Sequence, residues 1–140
     1  SELYLRNQKG ENPLIVRNEE DYKKMLAFTM SDPPYIPSPI ISTLTRIAID
    51  REKIGEKIYQ ELNLKYSLNP EDVLPQIKVP TLVLWGDQDK VINVSSTEVF
   101  KRLMPQAQVV IFKGVGHAPQ IERTKESAQA YETFLASVKP

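Results

Sequence analysis

Apolar residues follow two kinds of pattern along this chain, and the change falls near residue 78. Before it, Tyr22, Met25, Leu26 and Met30 recur at helical spacing, and Ile40, Ile41, Leu44, Ile47 and Ala48 do so again. Ile54, Ile58, Tyr59 and Leu62 continue the second pattern through Gly55, as one bent helix or as two. After it come two short, near-continuous apolar runs: residues 81–85 between Pro80 and Gly86, and residues 109–112 closed by Gly114 and Gly116. Runs of this kind predict strands covered on both faces in a parallel sheet. Between them Val99, Phe100, Leu103 and Met104 give a helical face that Pro105 ends. Ala128, Tyr131, Phe134, Leu135 and Val138 then predict a last helix packed on the sheet.

Polar residues set the expected boundaries. Residues 1–18 read as an irregular lead-in punctuated by Asn7, Gly10, Asn12 and Pro13. Asn18 is placed to cap a helix whose first turn carries Glu19, Glu20 and Asp21, and Asp32-Pro33-Pro34 stops it. Ser38-Pro39 reads as a cap followed by proline at the first helical position. Residues 64–80 form a connector with Pro70, Pro75 and Pro80 and one short helical turn near 71–76. Ser95-Ser96-Thr97-Glu98 has the spacing of a capping box, and Thr124 is placed to cap the last helix. The expected division is a helical part with its connector over 1–78, followed by strand-helix-strand-helix over 79–140.

Composition narrows the chemistry. The 140 residues suffice for one domain with a core. With 18 basic and 18 acidic residues the net charge is zero, so no surface for nucleic acid is indicated. No apolar stretch approaches a membrane span, and no segment reads as a signal peptide, so a cytoplasmic setting is expected for the chain as given. There is no cysteine and a single histidine, which leaves no thiolate or histidine-rich metal site within one chain; no cofactor is expected.

The strand-helix-strand unit carries the chemical expectation. Parallel strands joined by a crossover helix place their carboxyl ends along one edge of the sheet, where open α/β sheets bind ligands. An acid, Asp89, follows the first strand, and the lone histidine, His117, follows the second. Neighbouring strands lie about 4.8 Å apart, so both loops would open onto one crevice. A carboxylate beside an imidazole can fix the ring's tautomer and stabilise its protonated form, the acid–base half of a Ser-His-Asp system. Asp87 competes with Asp89 for that place, and chemistry alone does not choose between them. Gly114 and Gly116 suit a tight, exposed turn before His117. Met25, Phe28, Met30, Tyr35 and Ile36 are candidates to line a substrate pocket, or else belong to the core.

Two blocks carry a resemblance. Pro80-Thr81-Leu82-Val83-Leu84-Trp85-Gly86-Asp87-Gln88-Asp89-Lys90-Val91 is similar to a family strand ending in Gly-x-x-Asp, and Gly116-His117-Ala118-Pro119-Gln120-Ile121-Glu122 to Gly-His-x-x-x-x-Glu. Their order, their spacing and the final helix resemble the carboxyl-terminal half of an α/β-hydrolase superfamily enzyme. More loosely, Asn12-Pro13-Leu14-Ile15, Pro33-Pro34-Tyr35 and Tyr66-Ser67-Leu68 resemble the helical cap of the monoacylglycerol-lipase-like and bacterial lipase/esterase branch. The resemblance implies a partial α/β-hydrolase fold, with Asp89 as catalytic acid and His117 as catalytic base; Glu122 reads as a structural hydrogen-bonding group rather than a catalyst.

The family's nucleophile lies upstream in Gly-x-Ser-x-Gly, and that motif is absent: the five glycines are at 10, 55, 86, 114 and 116. Ser95 and Ser96 fit a capping role, and Ser31, Ser38, Ser42 and Ser67 lack a strand-to-helix turn. The expectation is therefore a fragment, inactive by itself, of a serine hydrolase acting on small lipophilic esters such as acylglycerols. Two alternatives stand beside it. One is a non-catalytic module that self-associates through the truncated sheet or binds a partner. The other is C–C bond hydrolysis or dehalogenation on the same scaffold.

Overall fold

A computed structural model describes residues 1–62 and 69–138. The Tyr66-Ser67-Leu68 part of the resemblance lies outside the described residues, as do the side chains of Tyr59 and Leu62. Helices dominate the first part: α1 (Glu2–Asn7), α2 (Glu19–Thr29), α3 (Ser38–Asp50), α4 (Glu52–Leu62) and α5 (Pro70–Val73), the last running into a 3-10 turn over Leu74–Gln76. There follow β1 (Leu82–Gly86), α6 (Ser96–Leu103), β2 (Gln108–Phe112), α7 (Pro119–Glu122) and α8 (Thr124–Ser137). The two strands pair in parallel with Leu82 opposite Gln108 and Gly86 opposite Phe112. This is the parallel strand-helix-strand-helix unit that the apolar pattern predicts, preceded by helices, and it agrees with the partial α/β-hydrolase fold that the resemblance implies.

The local reasons for the elements are partly those expected. Asn18 caps α2, its side chain accepting the Asp21 N–H at 2.9 Å. Of the two readings of residues 39–63, the described residues form two helices, broken at Arg51 (φ −95°, ψ 1°), with Gly55 inside the second. Leu26 of α2 and Ile41 of α3 are buried where the two helices pack. Met104, Val115 and Thr97 are the largest fully buried side chains among the described residues.

Several expectations fail, each for an identifiable reason. The lead-in is not irregular at its start, because residues 2–7 form α1. Ser1 accepts the Tyr4 N–H at 3.3 Å and Arg6 pairs with Glu2 at 2.9 Å. Two tertiary contacts also hold this helix: the Leu3 N–H donates to the Lys90 carbonyl at 2.9 Å, and the Arg6 guanidinium stacks over Phe28 at 5.4 Å. Helix α3 starts a residue earlier than Ser38-Pro39 implied, with Pro37 at the cap and Pro39 inside the first turn. The capping box at Ser95 does not form. Asn93 accepts the Ser95 N–H on its side chain and the Ser96 N–H on its carbonyl, both at 2.9 Å, and Ser95 is already helical (φ −58°, ψ −19°). Glu98 turns instead to Lys101, 2.8 Å away.

Thr124 is not a cap either. The preceding turn, α7, has already wound the chain, so the Thr124 hydroxyl donates back to the carbonyls of Gln120 and Ile121. In α8 the packed face runs through Ser127, Ala130 and Phe134, because the buried Ser127 hydroxyl anchors the helix to the Pro119 carbonyl at 2.9 Å. Ala128, Tyr131 and Leu135 are rotated out of that face and exposed. Nor are both strands covered on both faces: β1 buries Val83 and Gly86, whereas Ile111 of β2 is exposed. The helices that follow β2 pack on β1, which leaves β2 the less protected strand among the described residues.

Candidate active site

The ends of β1 and β2 are register partners, so the loops that follow leave the sheet side by side. They stay zipped together beyond it. The Asp87 N–H donates to the Phe112 carbonyl at 3.0 Å and the Gln88 N–H to the Val115 carbonyl at 2.9 Å. Asp87 Oδ1 accepts the Gly114 N–H at 2.7 Å, pinning a turn in which Gly114 has φ 68°. Asp87 is thereby committed to the backbone.

Asp89 reaches the histidine. Its side chain is 4% exposed, and Oδ2 accepts from His117 Nδ1 at 2.9 Å. Its other oxygen accepts the backbone N–H groups of Val91 at 2.8 Å and Ile92 at 2.9 Å, an aspartate turn that fixes the carboxylate independently of the ring. A carboxylate has no proton to give, so Nδ1 carries the hydrogen in the neutral ring and Nε2 holds the free lone pair. The His117 side chain is 41% exposed, and Nε2 has no hydrogen-bond partner among the described residues. This is a geometry in which an imidazole can take a proton from a group placed before it.

The hydrogen bond to Asp89 holds His117 above its ordinary pKa of 6.5, against the opposite pull of partial burial, and the aspartate's charge adds to the rise. The stabilisation from this pair is therefore complete below pH 6.5 and is lost as pH rises through the folded value. Because His117 is the sole histidine, its Cε1 proton gives one titrating NMR signal. We expect its midpoint above 6.5 and expect Asp89→Asn to lower it; a midpoint at or below 6.5 in the parent would contradict the hydrogen bond.

The turn carrying His117 is also held by the segment that leaves α2. The His117 N–H donates to the Thr29 carbonyl at 2.7 Å. Glu122 accepts the Gly116 N–H at 2.8 Å on one oxygen, and the N–H groups of Ser31 at 2.8 Å and Asp32 at 2.9 Å on the other. Gly116 serves this approach rather than an unusual backbone angle, since a Cβ there would lie 2.5 Å from the Thr29 carbonyl oxygen.

The five candidate pocket residues do not converge. Met25 lines a groove with Ile15, Val16 and Ala48; Phe28 lines another with Arg6, Pro13 and Lys90; Tyr35 and Ile36 line a third with Leu26, Pro33 and Pro34. Neither Asp89 nor His117 lines any of these three. Met30 sits instead against the histidine turn, its Cα 2.8 Å from where a Cβ on Gly116 would be. Sequence reasoning missed the Val91 and Ile92 amides and the segment over residues 29–32. The first were findable, because an aspartate two or three residues before a loop amide is a recurrent turn.

Among the described residues no three His, Asp or Glu side chains gather as metal ligands, and no helix is long and apolar enough to cross a membrane. Comparison with known proteins adds the wider context. A family model described as the alpha/beta hydrolase fold matches residues 23–124. Lipase 3 of Moraxella sp. is 35% identical over 128 residues, covering 91% of this chain and 41% of that protein. Mouse monoacylglycerol lipase ABHD6 is 30% identical over 127 residues, covering 90% and 38%. Among solved structures, a membrane phospholipase A described as a bacterial virulence factor superposes with a TM-score of 0.90 at 41% identity, covering 97% of this chain and 44% of that one. The chain thus spans about two-fifths of the length of these relatives. A parallel strand pair delivering an acid and a histidine to one edge, and a matching family model over most of the sequence, lead to one statement: this chain belongs to the α/β-hydrolase fold family.

Proposed function

We propose that these residues supply the acid and base of a serine hydrolase that cleaves lipophilic carboxylic esters, acylglycerols among them. The observation that carries the reading is the 2.9 Å hydrogen bond from His117 Nδ1 to Asp89, with Nε2 left without a partner among the described residues. The likeness to Lipase 3 and to monoacylglycerol lipase ABHD6 supports the substrate class. His117 Nε2 takes the proton from a serine hydroxyl as that oxygen attacks the ester carbonyl, then returns it to the departing alcohol. Asp89 keeps the ring in the required tautomer and stabilises the imidazolium that forms. The serine and its oxyanion hole come from polypeptide beyond these 140 residues, which hold no Gly-x-Ser-x-Gly. Residues 1–78 act as a cap and residues 79–140 as the closing part of the catalytic core.

Two measurements test this. The 140-residue chain alone should turn over a chromogenic ester no faster than background. The complete polypeptide that carries it should do so, and His117→Ala should abolish the reaction. Turnover by the short chain that depends on His117, or full turnover by the complete polypeptide without it, would each refute the assignment. Activity should rise with pH through the raised His117 midpoint, since the base must be neutral to accept a proton.

A second reading is favoured by one observation. Ile111 on β2 and Tyr131 and Leu135 on α8 are exposed, and the described sheet has two strands. Such a surface suits self-association. Sedimentation that gives a monomer at every concentration would remove this reading.

A further inference from the structure

We propose that Glu122 is the positioning residue of His117: by tying the histidine turn to residues 29–32, it makes the placement of that segment set where the imidazole sits relative to Asp89. The inference rests on the role given to His117 above.

Three features carry it. First, one carboxylate gathers three backbone N–H donors from two distant parts of the chain. Ser31 and Asp32 lie 91 and 90 residues before Glu122, whereas Gly116 lies six before it. Hydrogen bonds to a charged acceptor are about twice as strong as neutral ones. Second, the junction has no slack. The His117 N–H meets the Thr29 carbonyl at 2.7 Å, and a Cβ on Gly116 would lie 2.5 Å from Thr29 O and 2.9 Å from Ser31 N. A shift of residues 29–32 therefore carries the turn with it. Third, the carboxylate is anchored within its own loop by the amides of Val91 and Ile92, and the bonds that zip this loop to the histidine turn end at Val115, two residues before His117. Releasing the turn would move the ring while the carboxylate stayed in place, so the 2.9 Å bond would lengthen.

The charged neighbours fit this arrangement. Arg123 Nη1 donates to Glu122's own carbonyl at 2.8 Å and lies 3.7 Å from Asp32. Its positive charge offsets the two acids at the junction. Glu122 touches neither the imidazole nor the place of a substrate on Nε2, so its influence passes through the backbone.

The test uses Glu122→Ala and Glu122→Gln in the complete polypeptide, read by ester kinetics and by the His117 NMR titration. Glu122→Ala is expected to lower kcat by about 10- to 100-fold with KM unchanged, the cost of a misplaced catalytic group. The His117 midpoint should fall towards 6.5 as the bond to Asp89 loosens. Glu122→Gln keeps one acceptor oxygen but turns an NH2 against an N–H donor, and should fall between Glu122→Ala and the parent. A folded Glu122→Ala protein with the parent's kcat and titration would overturn the proposal, leaving Glu122 a stability residue alone. If Glu122→Ala does not fold, Glu122→Gln decides in the same way. If His117→Ala keeps full turnover, the hydrolase reading fails; the titration arm still reports whether Glu122 sets the ring's position.

Discussion

Asp89→Asn should lower ester turnover by the complete polypeptide about 10⁴-fold, the loss that the same change causes in a Ser-His-Asp protease. The size follows from which atoms are already committed. Asp89 Oδ1 accepts two backbone N–H groups, from Val91 and Ile92. An asparagine in its place must keep its oxygen there, because an NH2 would face two donors. Its NH2 is then aimed at His117 Nδ1, where Oδ2 accepted at 2.9 Å. Nδ1 must now accept, the ring proton moves to Nε2, and the atom that should take the serine proton already holds one. The imidazolium also loses its countercharge. Asp87→Asn is the control: Asp87 uses Oδ1 to accept the Gly114 N–H, and asparagine keeps that oxygen, so turnover should stay near the parent's. Steady-state kinetics on a short-chain ester decide the matter. A near-parental rate for Asp89→Asn, or a collapse for Asp87→Asn alone, would reassign the acid.

Gly86→Ala is expected to have the largest effect on folding. Gly86 ends β1 beneath the turn that carries His117. A Cβ there would lie 2.0 Å from the Gly116 carbonyl oxygen, 2.2 Å from that of Val115 and 2.6 Å from the Val115 carbonyl carbon. All three obstacles are backbone, and Val115 is wholly buried, so no flexible side chain can move aside. Overpacking of this kind costs about 1–3 kcal/mol and more where the neighbour cannot give. The atoms displaced adjoin His117, so surviving folded protein should also lose up to about 100-fold in turnover. Urea unfolding followed by circular dichroism measures the first effect, as a lower midpoint with an unchanged slope. Gly55→Ala is the contrast. Gly55 lies inside α4 with nothing within 4 Å of an added Cβ, so the change should stabilise by about 0.5–1 kcal/mol. Equal stability for Gly86→Ala and the parent would show that the turn over β1 is not packed as described.

The boundary expectations that failed share a cause. At Ser95 and Thr124 a residue type suited to capping stands near a helix start, but a cap also needs an extended backbone at that residue. The chain entering each helix was already turning, at Asn93 and in α7, so Ser95 stands at the helix start with a helical backbone and no side-chain cap bond, and Thr124 is already the first residue of α8. Helix α8 misled in another way. Its apolar residues repeat at helical spacing, yet the contact face is set by the small Ser127 hydrogen-bonded to Pro119, an attachment that periodicity does not register.

By itself the sequence determined the strands, the helix between them and the identity of the histidine. Apolar runs bounded by proline and glycine act over a few residues and leave their mark in local order, and a lone histidine has no rival. The tertiary structure decided which aspartate faces the ring, why Gly116 must lack a side chain, and what Glu122 holds. Each of these depends on backbone amides and carbonyls, which every residue carries alike, brought together from segments up to 91 residues apart. Side-chain identity can announce a main-chain partner a few residues away, as at Asn18, but not one that comes from a distant segment; there only the folded path of the chain decides.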